Sequence, residues 1–439
     1  MRGTHKNDKR LIRSWSMYDW ANSAYNLVIT STIFPAYYTA ITQTQEHGDV
    51  VNFFGIKVIN TVLTNFTLAI AYLIMALTLP FISCYADVQG RKKPIMMLFT
   101  YFGAFSCMGL YFFKLDTLEI SVILFGLAAM GYIGGVLFNN SYLPEIATVD
   151  QQDRVSAQGF AYGYIGCVTL QIICLIFILK PDWFGIIDPS FGPRLSFLLV
   201  GIWWIGFSTI PFRVLPNNKR SDIRAARNLF RTVILEFRIV LRRISKIDRI
   251  KRFLPAYFFY AAGVQTVMIV AAAFGAKELK LESSKLIITI LLIQLVAIAG
   301  AILMSKLSGR FGNIKVLLAV ITVWIGICIS AFYVESETQF YLLACVVGLV
   351  MGGIQSLSRS TYSKFLPSNI KDTASFFSFY DVTEKLAIVM GLLSFGLIEQ
   401  VTRNIRYSAI FLTIFFIIGA LFLLRLWKYN KYMLSQDEY

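Results

Sequence analysis

Apolar runs of about 20 residues recur roughly a dozen times along this chain, and each is long enough to cross a bilayer as a helix. With a mean hydropathy of +0.63, 56% hydrophobic residues and only 15% charged ones, the 439-residue chain carries more apolar surface than a water-soluble core could hide. The expected fold class is therefore an all-α integral membrane protein. Backbone groups in lipid must be satisfied internally, and spans this long point to helices rather than barrel strands. The spans fall near 18–42, 58–86, 94–113, 118–143, 157–179, 195–215, 253–275, 286–307, 316–334, 340–362, 373–398 and 406–427. They group into a cytoplasmic tail (1–17), a six-helix bundle (18–215), a linker (216–252), a second six-helix bundle (253–427) and a second tail (428–439).

The formal charge of +16 would suggest nucleic acid in a soluble protein. Here the basic residues cluster in short loops, which is a topology signal. With the amino terminus in the cytoplasm, about 31 Lys and Arg fall on that side and about 9 on the other, so both termini and the linker are expected there. The linker holds Arg231, Arg238, Arg242, Arg243 and Lys246 around apolar residues at three- and four-residue steps (Val233, Phe237, Val240, Ile244). That spacing makes a helix with one apolar stripe and one basic face, either lying against anionic lipid headgroups or serving as a solvated connector. Residues 1–17 lack the apolar core of a signal peptide. The cysteines lack metal-ligand spacing and read as free thiols, and His5 and His47 have no spaced partner, so no metal, cofactor or catalytic site is expected.

The two halves repeat. Gly134, Gly135, Asn139, Asn140 and Ser141 lead to Pro144 and then to Asp153 and Ser156. Gly352, Gly353, Gln355, Ser358 and Arg359 lead to Pro367 and then to Asp372 and Ser375, about 218 residues later. Asp87, Gly90 and Arg91 recur as Gly309, Gly312 and Asn313 at a similar offset. Two pseudo-symmetric bundles of six spans suit a transporter whose site lies at the repeat interface.

Polar residues inside the spans mark that interface. Asp19, Asn22 and Asn26 share one helical face, with Tyr25 read as adjacent to it. The stripe faces a cavity or another helix, since lipid would not solvate it. Asn139, Asn140, Gln265, Gln355, Ser358 and Arg359 complete the candidate solute path. Asp381, Glu384 and Lys385 sit within the eleventh span, where each charge costs about 2.5–3.5 kcal/mol unless paired or wet. Asp381 and Glu384 are candidate proton carriers. Alternatively they form a static pair with Lys385, and Arg359 is a second possible partner.

The loop Ser83, Asp87, Gly90, Arg91, Lys92 resembles the signature loop of the major facilitator superfamily, with Ser83 in place of the leading glycine and Val88 in place of a basic residue. The resemblance implies the two-bundle major facilitator fold and a cytoplasmic gate of Asp87, Gly90 and Arg91. Gly90 would permit the turn, Asp87 would face a helix amino terminus across the interface, and Arg91 would pair with a carboxylate. A plain positive-inside turn is the other reading.

The run Tyr18, Asp19, Trp20, Ala21, Asn22, Ser23, Ala24, Tyr25, followed by Phe34 and Pro35, looks like the first span of the vacuole-effluxer-like branch of that superfamily. Asn140 to Pro144, Arg154 to Ser156, Gly163 to Gly166, Gln355 to Ser360 and Phe377 to Thr383 fit it too, so the resemblance covers nearly the whole chain. It implies a solute transporter in a bacterial inner or a vacuolar membrane, with amino acids as the first substrate class.

The expected partners are a small solute, protons as candidate coupling ion and anionic lipids at the linker, with the chain acting as a monomer and binding no nucleic acid. The competing readings are a lipid or drug exporter and a receptor or scaffold that kept the fold. No Walker-type phosphate loop is present. The fifth span has glycines but no proline and the fourth no arginine, which weakens a drug/proton antiport reading.

The topology is directly testable. In intact cells, Gly48→Cys and Ser336→Cys should react with an impermeant thiol reagent and Asn218→Cys should not. Labelling at Asn218 would reverse the assignment.

Overall fold

The computed structural model describes residues 6–43, 48–185, 187–217, 229–367 and 370–436. The stretch 218–228, with Asn218, Lys219, Arg220, Arg224 and Arg227 of the basic linker, lies outside the described residues, as do His5 and His47.

The first span is α1 (Lys9–Ala24), a π-helical stretch (Tyr25–Thr32) and α2 (Ile33–Thr42). Then come a hairpin of β1 (Val50–Phe53) and β2 (Ile56–Ile59), α3 (Asn60–Gln89), α4 (Lys92–Gly109), α5 (Leu118–Ser141), the short α6 (Leu143–Ile146), α7 (Gln152–Leu179) and α8 (Phe191–Val214). The linker helix α9 (Leu229–Lys246) leads to α10 (Asp248–Glu278), α11 (Ser283–Phe311), α12 (Asn313–Tyr333), α13 (Glu337–Phe365), α14 (Thr373–Thr402) and α15 (Ile405–Gln436). Among the described residues, ten helical segments are long and apolar enough to cross a membrane. The other two spans are the interrupted first one and α14, whose middle carries Asp381, Glu384 and Lys385. This is the major facilitator architecture of two six-helix bundles.

Several boundaries differ from the sequence reading. The first helix starts at Lys9, inside the stretch read as a tail. Asp8 caps it by accepting from the Arg10 amide at 2.8 Å, and Leu11 and Trp15 are buried. The extramembrane hairpin is not helical. Its register pairs Val50 with Ile59 and Phe53 with Ile56. Phe54 and Gly55 both take positive φ, 49° and 84°, as a tight two-residue hairpin turn requires. At the other end α15 runs on to Gln436.

Each half has its own apolar interior. In the first, Phe34 stacks on Phe125 with ring centroids 4.2 Å apart. A neighbouring cluster gathers Trp15, Tyr18, Met96 and Phe138. In the second, Tyr257 stacks on Tyr380 at 4.3 Å, and Trp324 on Phe416 at 5.6 Å. The repeat shows in the backbone as well. Gly90 and Gly312, at matching places in the two halves, end α3 and α11 with φ of 64° and 85°. The halves meet where α14 packs on α3 and α5, and where α7 packs on α11 and α13.

Candidate functional site

On the face that carries both termini, α3 ends against the start of α14. Asp87 is 6% exposed, and its Oδ2 accepts from the Ser375 amide at 2.7 Å and the Ser375 hydroxyl at 2.6 Å. Ser375 lies in the first turn of α14, so Asp87 caps from the other half of the molecule a helix end whose free amides and dipole favour negative charge. Gly90 makes the turn that brings α3 there. Arg91 departs from expectation: it is exposed and, among the described residues, makes no side-chain hydrogen bond or ion pair. After the Gly90 turn, α4 begins at Lys92, and it is Lys92 that points inward. Fully buried, it donates to Glu145 and to Thr373 Oγ1 and lies 4.5 Å from the centre of the Tyr142 ring.

The matching crossing in the other direction is built differently. Gly309 stands where Asp87 does, so α11 brings no acid to the start of α7. The first turn of α7 supplies its own, Asp153, which accepts from Ser308 at 3.0 Å, Asn313 at 2.7 Å and Lys364.

Above these contacts Arg359 spans the interface. It belongs to α13, yet its polar partners all lie in the first half. Nη1 donates to Asp19 at 3.1 Å and Asn140 at 2.9 Å, Nε to the Ser156 hydroxyl at 3.0 Å and Nη2 to the Ser156 carbonyl at 2.8 Å. Trp15 and Phe160 face the guanidinium at 4.8 and 4.2 Å. Asn139 donates to the other Asp19 oxygen at 3.0 Å. The fit needs Gly159, because a Cβ there would sit 2.3 Å from Asp19 Oδ2 and 2.8 Å from Arg359 Nη2. Arg359 is thus the partner of Asp19, not of Asp381 or Glu384: it enters from α13 at a level where α1, α5 and α7 converge.

Next to this pair lies a cavity of about 180 Å³ between the halves. Of the residues selected from the sequence as solute path or proton carriers, Asp19, Asn22, Asn26, Asn140, Gln265, Gln355, Ser358, Arg359 and Glu384 line it. Three do not. Tyr25 turns into the first-half core, its ring 5.1 Å from Tyr132 and 5.8 Å from Trp204. Asn139 stands behind Asp19, and Asp381 stands behind Lys385. Sequence reasoning missed Gln294 and a ring of tyrosines that includes Tyr72, Tyr132 and Tyr164. Their signal was present: polar-tipped side chains in mid-span, far from the interfacial belt where tyrosine ordinarily sits. Two wall atoms have no protein partner, the donor Asn22 Nδ2 and the acceptor Gln294 Oε1. Tyr164 donates to Gln355 at 2.7 Å across the interface, and Tyr260 pairs with Ser358.

Lys385 serves two carboxylates, Glu384 at 2.7 Å and Asp381 at 3.4 Å. Gln265 donates to Glu384 at 2.9 Å, while Asp381 Oδ2 has no partner.

A family model described as "Vacuole effluxer Atg22 like" matches residues 7–431. The chain is 31% identical over 412 residues to the uncharacterized MFS-type transporter YxiO of Bacillus subtilis, covering 93% of each. It is 29% identical over 291 residues to autophagy-related protein 22 of Cryptococcus neoformans, covering 60% of this chain and 48% of that protein, so it spans about half of this fungal relative. Among solved structures, the proton:xylose symporter XylE superposes with a TM-score of 0.72 at 12% identity, covering 95% of both chains. A bacterial homologue of the iron transporter ferroportin, in an outward-facing state, superposes at 0.67 with 15% identity, covering 95% of this chain and 98% of that one. At such identities the likeness establishes the fold.

The Asp19–Arg359 pair should behave as a coupled unit. Arg359→Gln alone strands a buried carboxylate and should cost about 3–5 kcal/mol. Asp19→Asn with Arg359→Gln should recover on the order of 2 kcal/mol of that. Thermal unfolding of the two single variants and the double variant measures it. Additive losses would mean the pair is not coupled.

Proposed function

The chain belongs to the vacuole effluxer Atg22-like family of major facilitator transporters, and from that premise we propose that it carries a small zwitterionic solute, amino acids first, by alternating access of the cavity between its halves. The observation that carries this reading is the chemistry of the cavity wall. It holds both signs of charge, on Arg359, Lys385, Asp19 and Glu384, together with the unpartnered donor of Asn22 and the unpartnered acceptor of Gln294. A zwitterionic solute brings a carboxylate and an ammonium that complement these two signs of charge. On this reading Asp87, Lys92, Asp153 and Arg359 close the terminal face. That face is cytoplasmic, and the membrane is a bacterial inner membrane.

The charge count of α14 supports proton coupling. Two carboxylates share one ammonium, leaving one surplus negative charge that a single proton cancels. Asp381, with one oxygen unpartnered, is the place for it. The groups facing this cluster are Tyr72 of α3, Tyr132 of α5, Tyr257, Tyr260 and Gln265 of α10, and Tyr380 of α14 itself. No second basic group among them offsets the extra acid.

Reconstitution into liposomes with a panel of labelled amino acids, with and without a pH gradient, tests both parts. Uptake of at least one amino acid should exceed that of empty vesicles and respond to the gradient. Asp381→Asn should lose at least about tenfold of the gradient-driven rate, while exchange of labelled for unlabelled solute persists because exchange moves no net proton. Full gradient response in both Asp381→Asn and Glu384→Gln would remove the cluster from coupling. No uptake of any amino acid would overturn the substrate class.

A further inference from the structure

The seam between α3 and α14, where Asp87 meets Ser375, is covered from outside by α9. The Phe237 ring of α9 lies 4.8 Å from Phe81 of α3 and 5.9 Å from Phe379 of α14, stacked on the latter at 13°. One aromatic side chain of the linker therefore touches both halves. Phe81 is six residues before Asp87 and Phe379 four residues after Ser375, so this contact sits within two turns of the gate. Val233, Val240 and Ile244 are buried on the same inner face of α9, and Arg243 reaches Asp372 at 3.0 Å, just before α14 begins.

The outer face of α9 has an unusual composition. Leu235 is 58% exposed and Leu241 45% exposed, and Arg238, Arg242 and Lys246 are exposed beside them. Leucines among basic groups suit a helix lying at the edge of a bilayer, with apolar side chains reaching toward the acyl chains and basic groups among the headgroups. The neighbouring spans fix that level. Exposed Ile70, Leu73, Ile74 and Leu77 form a lipid-facing stripe on α3 that ends at Phe81, where α9 crosses. On α14 the exposed residues Leu386, Leu393 and Leu397 lie on the far side of Phe379 from the terminal face. Thus α9 lies where the lipid-facing surface of both halves ends, and its outward charge is positive.

We propose that α9 is a clasp read by the membrane: anionic phospholipid headgroups bind Arg238, Arg242 and Lys246, hold the helix across the α3–α14 seam and so favour the state in which the terminal face is closed. The attraction needs no solute, so it stands apart from the transport reading above.

Hydrogen–deuterium exchange of the full-length protein in nanodiscs tests the proposal. Discs of phosphatidylcholine alone are compared with discs containing about one-third phosphatidylglycerol. Amides of α9 and the Ser375 amide held by Asp87 should exchange at least about fivefold more slowly in the anionic discs. The variant Arg238→Gln with Arg242→Gln should lose that difference while matching the wild type in neutral discs. Inorganic phosphate added to neutral discs should not reproduce the protection. Equal exchange in both lipids, a lipid effect that survives the double variant, or protection by phosphate alone would each overturn the proposal. Slowing in α9 without slowing at Ser375 would overturn its link to the gate.

Discussion

A guanidinium buried in a protein interface must have its charge and its donors met, and at Arg359 the partners come from the opposite half of the molecule. Asp19, Asn140 and Ser156 together accept four hydrogen bonds from one side chain of α13. The net stabilisation from such a buried pair is small, because desolvation offsets most of the attraction. The cost of separating the partners without replacement is large. The pair therefore sets how the halves fit more than how stable each half is. On the transport reading proposed above, parting the halves requires Arg359 to exchange these partners for water or for a solute in the cavity beside it.

The pair of helix crossings below is a repeat in which the two copies use different residues. Gly90 and Gly312 end the matching helices of the two halves, both at positive φ, but Gly90 takes the left-handed helical conformation and Gly312 an extended ψ of 146°. Each crossing also puts a carboxylate in the first turn of a helix, where the dipole favours it. Across α3 and α14 the acid is Asp87, reaching over from the neighbouring helix end to the Ser375 amide. Across α11 and α7 it is Asp153, in the first turn of α7 itself, bonded to the side chains of Ser308, Lys364 and Asn313 and to no amide of that turn. The physical demand is symmetric and the residues that meet it are not. The two crossings thus differ in which bonds must break as they open.

Much of this was legible in the chain. Span lengths, the basic loops and the offset between repeats define two bundles, and helical spacing put Asp19, Asn22 and Asn26 on one wall. What was not legible depended on distance or on register. Arg359 and Asp19 are 340 residues apart, so no local pattern joins them, whereas Asp381 and Lys385 advertise themselves at adjacent turns. Lys92 and Arg91 are equivalent as neighbours in sequence. Only the Gly90 turn decides which faces inward. Tyr25 was read as adjacent to that stripe, yet six residues from Asp19 is about 240° round an ordinary helix, and its ring faces the first-half core instead. The hairpin was hidden because strands of four residues are too short to show a period; of its residues only Val58 and Ile59 fell within the second span as read from the sequence.

The account turns on Arg359 holding the terminal face shut. Double electron–electron resonance between labels at Val149, beside α7 in the first half, and Lys306, near the end of α11 in the second, reads the width of that mouth directly. The wild type should show a dominant short distance, and Asp19→Asn with Arg359→Gln should move several-fold more of the population to a longer one. An unchanged distribution in the double variant would contradict the account.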